Sequence, residues 1–147
     1  MEIELRKCDE NDYDFAFEAK RQAMGPHIKY KWGWDEAFQL SVHNQRWNEK
    51  PWFIIIKDGI EIGTVSIHEQ KDAVRFGEFY LLKEHQRKGI GTIVISEFIE
   101  SCDKNNRKII LEYLKWSPVG SLYKRHGFRT ISENEIHYFM ERKPNQH

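Results

Sequence analysis

The sequence predicts a mixed α/β (α+β) domain, a central sheet of about seven strands with helices on both faces. Two observations predict it. Short segments with apolar residues at alternate positions, or in unbroken apolar runs, are interleaved with segments of helical spacing, in the order β-α-α-β-β-β-α-β-α-β-β. Gly, Pro and Asp punctuate the boundaries, and the length of 147 residues fits one core rather than two.

Ile3 and Leu5 alternate with Glu2, Glu4 and Arg6, so residues 2–7 read as a strand. Asp9 to Asp12 offers N-caps for a helix in which Tyr13, Ala16, Phe17 and Met24 recur at helical spacing. That helix is expected to end near Ala23, because Gly25-Pro26 follows. A loop rich in aromatic and positive residues, Tyr30-Lys31-Trp32-Gly33-Trp34, then leads to a second helix opened by Asp35 and running to about Trp47. After Pro51, the unbroken apolar run Trp52–Ile56 suits a strand buried on both faces. Asp58-Gly59 predicts a hairpin, with Glu61–His68 as the return strand and Ala73–Leu82 as the next.

Gly89–Asn105 reads as a helix whose Ile90, Val94, Ile95, Phe98, Ile99 and Cys102 form one apolar stripe, which makes Cys102 a core filler. Lys108–Leu114 is a strand, and Ser117-Pro118 gives an N-cap followed by Pro at the first helical position. Gly127 is placed to end that helix, and strands at Phe128–Ile131 and Ile136–Glu141 close the sheet. Residues 1–143 thus read as a single domain and 144–147 as a frayed tail.

Lysine and arginine balance aspartate and glutamate at a formal net charge of zero. That argues against nucleic acid or an anionic membrane as partner, since both usually require a cationic surplus. The acidic start Met1-Glu2-Ile3-Glu4 does not resemble a signal peptide, and no apolar run approaches a membrane span, so the cytoplasm is the expected compartment. Cys8 and Cys102 show no metal or redox spacing, and His43, His68, His85, His126 and His137 show no ligand spacing; no metal is expected.

One segment carries chemistry. The strand through Phe79, Tyr80, Leu81 and Leu82 runs into a polar loop and then directly into the Gly89 helix. Amides at a helix N-terminus, backed by the helix dipole, bind phosphate, and glycines let the backbone approach it closely. Arg87 and Lys88 add positive charge there. No Gly-Lys-Ser/Thr follows, so this is not a nucleotide-binding P-loop. Gly89-Ile90-Gly91-Thr92-Ile93-Val94 also lacks the third small residue of the dinucleotide fingerprint. An anion is implied and its identity is left open.

Gln86-Arg87-Lys88-Gly89-Ile90-Gly91 resembles the Q/R-x-x-G-x-G/A motif of the GCN5-related N-acetyltransferase (GNAT) superfamily, and stands after the fourth strand as it does there. Downstream, Ser117-Pro118-Val119-Gly120-Ser121-Leu122-Tyr123-Lys124-Arg125-His126-Gly127-Phe128 is similar to the family's N-P-A-x-x-L-Y-x-x-x-G-F. The resemblance implies the acyl-CoA N-acyltransferase fold and acetyl-CoA as co-substrate. It places the coenzyme pyrophosphate on Gln86, Arg87, Lys88, Gly89, Ile90, Gly91 and Thr92, and the pantetheine arm along Phe79, Tyr80, Leu81 and Leu82. Three departures stand out: Ser117 replaces a frequent Asn that reaches the pantetheine, Lys83 a common Pro, and Arg87 a common Gly.

Acetyl transfer to an amine requires loss of a proton from an ammonium of pKa about 10, hydrogen-bond donors for the thioester oxygen, and a proton for the departing thiolate. Tyr123, a phenol protonated at neutral pH, matches the family tyrosine that supplies the last of these. Glu78 interrupts an apolar strand beside the expected thioester and is the candidate base, with a chain of waters as the alternative. A backbone N–H near Leu81 is the expected oxyanion donor. By resemblance, the region between the first two helices lines the acceptor site, where Tyr30, Trp32, Trp34, Asp35 and Gln39 suit a cationic or aromatic amine. Lys20, Arg21, Lys29 and Lys31 disfavour a highly cationic one. The reading is an N-acetyltransferase acting on a primary amine of a small molecule or peptide in a ternary complex. An acyl-CoA-binding sensor of the same fold and an unrelated nucleotide-binding protein are the competing readings. Family members often form homodimers, and the sequence leaves that open.

Overall fold

The computed structural model describes residues 2–145. The strands are β1 (Ile3–Lys7), β2 (Trp52–Lys57), β3 (Ile60–Glu69), β4 (Val74–Leu81), β5 (Ile109–Leu114), β6 (Arg129–Glu133) and β7 (His137–Arg142). The helices are α1 (Tyr13–Trp32), α2 (Glu36–Glu49), α3 (Ile90–Lys104) and α4 (Gly120–Arg125). One mixed seven-stranded sheet has the order β1-β2-β3-β4-β5-β7-β6. Its element order is the expected one, with short 3-10 turns added at Glu10–Asp12 and Lys83–His85. The chain clusters into two compact units: residues through Ile67 with Glu78–Gln86, and His68–Gly77 with the residues from Arg87 onward.

In the first unit β1, β2 and β3 form an antiparallel ladder, with Ile3 opposite Lys57 and Trp52 opposite Ser66. The β2–β3 hairpin turns at Asp58 and Gly59, both at positive φ (50° and 82°), as a two-residue hairpin loop requires. Ala16 and Ala19 of α1 pack with Trp52 and Tyr80, and Cys8, Met24, Trp47 and Leu82 close over them. The small residues of α1 let the helix approach the large aromatics of the strands. Gly63 allows a closer approach still. A Cβ there would overlap the Tyr80 carbonyl oxygen and lie 3.0 Å from Leu81 Cα. Gly63→Ala is therefore expected to destabilise the protein by about 3 kcal/mol in urea unfolding; a loss below about 1 kcal/mol would show that β4 shifts freely.

Two expectations fail at α1. The helix does not stop at Gly25-Pro26 but runs on to Trp32, so Tyr30 and Trp32 occupy its last turn rather than a loop. Proline removes one helical hydrogen bond, yet Ile28 beyond it is only 5% exposed, and this burial outweighs the local breaker. Arg21 then holds Glu36 at the start of α2 through two bonds of 2.6 and 2.7 Å.

In the second unit β4 pairs in parallel with β5 at Val74–Ile109 and Arg75–Ile110, and β5 pairs antiparallel with β7 from Ile109–Arg142 to Leu114–His137. Ile95 and Ile99 of α3 and Ile109, Leu111 and Met140 of the sheet are buried there. The edge strand β6 is exposed along its length and mostly polar, which suits an unpaired edge. α4 differs from expectation as well. It starts at Gly120 with Val119 as its cap residue, not at Pro118. Residues 117–119 are a turn, in which Ser117 Oγ accepts the Val119 N–H at 3.4 Å and the Pro118 and Val119 carbonyls accept i+3 bonds.

Both cysteines are free. Burial pushes the Cys8 thiol up to about 12 and the Cys102 thiol up to about 11. In the tail, the Asn145 N–H donates to Asp103 Oδ1 at 3.1 Å, while residues 146 and 147 lie outside the described residues. No helix among the described residues is long and apolar enough to cross a membrane, and those residues contain no cluster of three or more metal-ligating side chains.

Candidate active site

The loop entering α3 has the properties of an anion cradle. Ile93 N–H donates to the Gly89 carbonyl at 3.2 Å, the first rung of the helix, so the amides of Gly89, Ile90, Gly91 and Thr92 precede its ladder. No side chain caps them, and the first turn holds no acidic residue. Ile90, fully buried, fixes the helix start, while Arg87, Lys88, Gly89 and Thr92 are exposed. Gly89 lies at φ 78° with open space around it, so the backbone angle rather than crowding calls for glycine. Arg87 lies at φ 60°, also left-handed, which accounts physically for the glycine common there among similar motifs. Gln86 acts differently from a phosphate ligand: its Nε2 donates to the Leu81 carbonyl at 2.8 Å and braces the exit of β4.

β4 is distorted at Glu78, which sits in mid-strand at φ 46°. Its carbonyl accepts from Thr64 Oγ1 at 2.9 Å. The carboxylate is buried, its side chain 3% exposed. Oε1 accepts from Arg46 (3.1 Å) and Lys50 (3.0 Å), and Oε2 from the Tyr80 hydroxyl (2.8 Å). Burial alone would push this carboxyl up, but the two cations and the hydroxyl overcome it and hold the pKa down at about 2. Lys20 of α1 belongs to the same cluster and is 5% exposed. Burial, reinforced by Arg46 and Lys50, holds its ammonium down at about 8 against the pull of Glu78.

Tyr123 of α4 is 5% exposed, and its ring packs against Phe76 (6.4 Å), Phe128 (5.7 Å) and Tyr113 (5.8 Å). Burial raises its pKa above the ordinary phenol value, so the hydroxyl is protonated across the neutral range. Ser117 precedes α4 in the turn described above. Glu78 belongs to the first unit and Tyr123 to the second.

The residues read as an acceptor wall differ in exposure and in their local partners. Tyr30 is 89% and Trp32 54% exposed. Trp34 is half-buried against Phe17, under the Arg21 guanidinium, and its indole N–H donates to Glu36 at 2.8 Å. The Asp35 carboxylate caps α2 through the Phe38 N–H (3.1 Å), and Gln39 is buried. Sequence reading took Lys20 only as part of the local charge and His43 only as a histidine without ligand spacing, and passed over Arg46 and Lys50. Lys20 did carry a signal, because it follows Ala16 and Phe17 at helical spacing and so falls on the inward stripe of α1. His43 lies among Tyr13, Phe17, Trp47 and Trp52, with ring centroids within 5.7 Å.

A family model described as an acetyltransferase (GNAT) domain matches residues 48–130, more than half of the chain. Similar solved structures include the PaiA N-acetyltransferase of Thermoplasma acidophilum in complex with coenzyme A (TM-score 0.75, 20% identity, 97% of this chain and 99% of that one). PH1933 of Pyrococcus horikoshii OT3 is similar at TM-score 0.76 and 18% identity, covering 99% of this chain and 100% of that one. The ribosomal-protein-S18-alanine N-acetyltransferase of Escherichia coli is similar at TM-score 0.70 and 13% identity, covering 99% and 96%. No curated protein sequence matches the chain.

Proposed function

The chain belongs to the GNAT acetyltransferase family, and from that premise we propose that it moves the acetyl group of acetyl-CoA to a primary amine of a small molecule or peptide. The observation that carries the proposal is the start of α3: uncapped amides, no first-turn carboxylate, two exposed cations and a left-handed glycine, at the place where the family motif falls. These features fit a pyrophosphate. Bound there, acetyl-CoA supplies an activated acetyl thioester.

The amides of Gly89, Ile90, Gly91 and Thr92 hold the pyrophosphate, and Arg87 and Lys88 offset its charge. The backbone of Phe79, Tyr80, Leu81 and Leu82 aligns the pantetheine arm, and a backbone N–H near Leu81 donates to the thioester oxygen. Ser117 lies at the entry to α4 and adds a hydroxyl contact to the arm. Tyr123 gives its proton to the departing sulfur. Glu78 stays ionised and acts as an anchor for Arg46, Lys50 and Tyr80, because a carboxyl held at about 2 is a poor acceptor for an ammonium proton near 10. Water takes that proton instead. The acceptor lies along α1 and α2, near Tyr30, Trp32, Trp34, Asp35 and Gln39.

Thr92→Glu tests the cradle, because it separates folding from binding. A carboxylate in the first turn favours the helix dipole by about 0.5 kcal/mol but repels a bound phosphate. The melting temperature should hold or rise while the dissociation constant for coenzyme A, measured by calorimetry, weakens at least about tenfold. An unchanged affinity would place the coenzyme elsewhere.

A further inference from the structure

Lys20 is the one member of the Glu78 cluster that its neighbours leave unmatched. Both Glu78 oxygens are engaged, Oε1 by Arg46 and Lys50 and Oε2 by Tyr80. Among the described residues no carboxylate forms an ion pair with the Lys20 ammonium and no acceptor hydrogen-bonds it, although the residue is only 5% exposed. Among the described residues, the charged and titratable groups that act on it are His43 and Arg46 of α2, Lys50 just beyond α2, and Glu78 of β4, and Glu78 is the anion of that set. The side chain of Lys20 is buried in a cluster where three cations, Lys20, Arg46 and Lys50, share the one carboxylate of Glu78, which is destabilising, and a methionine of similar length in its place would not be. Asp35, the carboxylate expected to meet a cationic acceptor, is instead engaged as the cap of α2.

We infer that the amine accepted by this protein carries its own anionic group, a carboxylate or a phosphate, and that Lys20 is the residue that binds it. This rests on the reading of the chain as an amine acetyltransferase whose thioester lies beside the Glu78 strand. The anion supplies the charge that the cluster lacks. An incoming anion also favours the protonated ammonium, so its affinity should be constant below pH 8 and fall as the pH rises through about 8, where Lys20 of the free protein loses its proton.

The test compares matched amines by thiol release from acetyl-CoA: glycine against glycinamide, phenylalanine against phenylalaninamide, and phosphoethanolamine against ethanolamine. The anionic member of at least one pair should have a kcat/KM at least tenfold above its neutral counterpart, and the preferred pair distinguishes carboxylate from phosphate. Lys20→Met should abolish that preference through KM while raising the melting temperature, whereas a purely structural lysine would leave the preference intact. Calorimetry with N-acetylphenylalanine and N-acetylphosphoethanolamine, which have no amine to titrate, on the coenzyme A complex gives a second measure. For the preferred anion, affinity should weaken about fivefold from pH 8 to pH 9 in the wild type, and Lys20→Met should bind weakly with no such change.

Equal use of charged and neutral members, or a preference that survives Lys20→Met, overturns the inference and leaves the acetyltransferase reading in place. So does coenzyme binding with neither turnover of an anionic amine nor binding of either acetylated anion. Failure to bind coenzyme A at all defeats the acetyltransferase reading, and with it this inference.

Discussion

Glu78→Gln is expected to lower the stability of the protein by about 3 kcal/mol and its melting temperature by about 10 °C at neutral pH. The carboxylate is buried with two cations and a hydroxyl on it, and removing its charge leaves Arg46, Lys50 and Lys20 facing one another without it. Linkage leads to the same size. The group's pKa is about 2 in the folded protein against 4.5 when unperturbed, a difference of about 2.5 units at about 1.4 kcal/mol each. Because the folded value is the lower one, this stability is present above pH 4.5 and is lost as pH falls from 4.5 toward 2. The acid limb of the stability curve should therefore flatten in Glu78→Gln. Adding Lys50→Met to that variant should recover about 1–2 kcal/mol by removing an unmatched charge. A Glu78→Gln protein within about 0.5 kcal/mol of the wild type would show that the cluster is not a stabilising unit.

Tyr123→Phe should lower kcat for acetyl transfer by about 100-fold, equivalent to about 2.7 kcal/mol of barrier. Affinity for coenzyme A should be unchanged, since phenylalanine keeps the ring contacts with Phe76, Tyr113 and Phe128. The raised pKa adds a second signature: loss of the Tyr123 proton cannot reduce the wild-type rate until the pH exceeds the ordinary phenol value near 10. An unchanged kcat in the variant would remove Tyr123 from proton transfer.

The sheet was legible because its strands announce themselves by local pattern. The apolar run of β2, the Asp58-Gly59 turn and the alternation of β1 each fix an element without reference to distant residues. What failed was tertiary. Gly25-Pro26 is a breaker by local rules, and the burial of Gly25 and Ile28 favours continuation of α1 through it. Ser117-Pro118 likewise has the pattern of a helix start, yet the chain makes a turn before α4 opens at Gly120.

The site divides in the same way. The cradle is contiguous in sequence, so Arg87, Lys88, Gly89, Ile90 and Gly91 could be read as one unit. The Glu78 cluster draws on residues 20, 46, 50, 78 and 80, and nothing local ties these together. Glu78 stood out because a lone carboxylate among apolar neighbours is unusual. That its charge is already matched depends on side chains from α2 and the residue after α2, which no spacing rule relates to β4.

The two cysteines bear on how such an enzyme can be followed. With thiols pushed up to about 12 and about 11, fewer than roughly one in a thousand molecules carries either as thiolate at pH 7.5. A chromogenic disulfide added to the reaction will respond to free coenzyme A and hardly to the protein. Continuous optical assays of turnover can therefore run with little background, and the purified chain should tolerate air without added reductant.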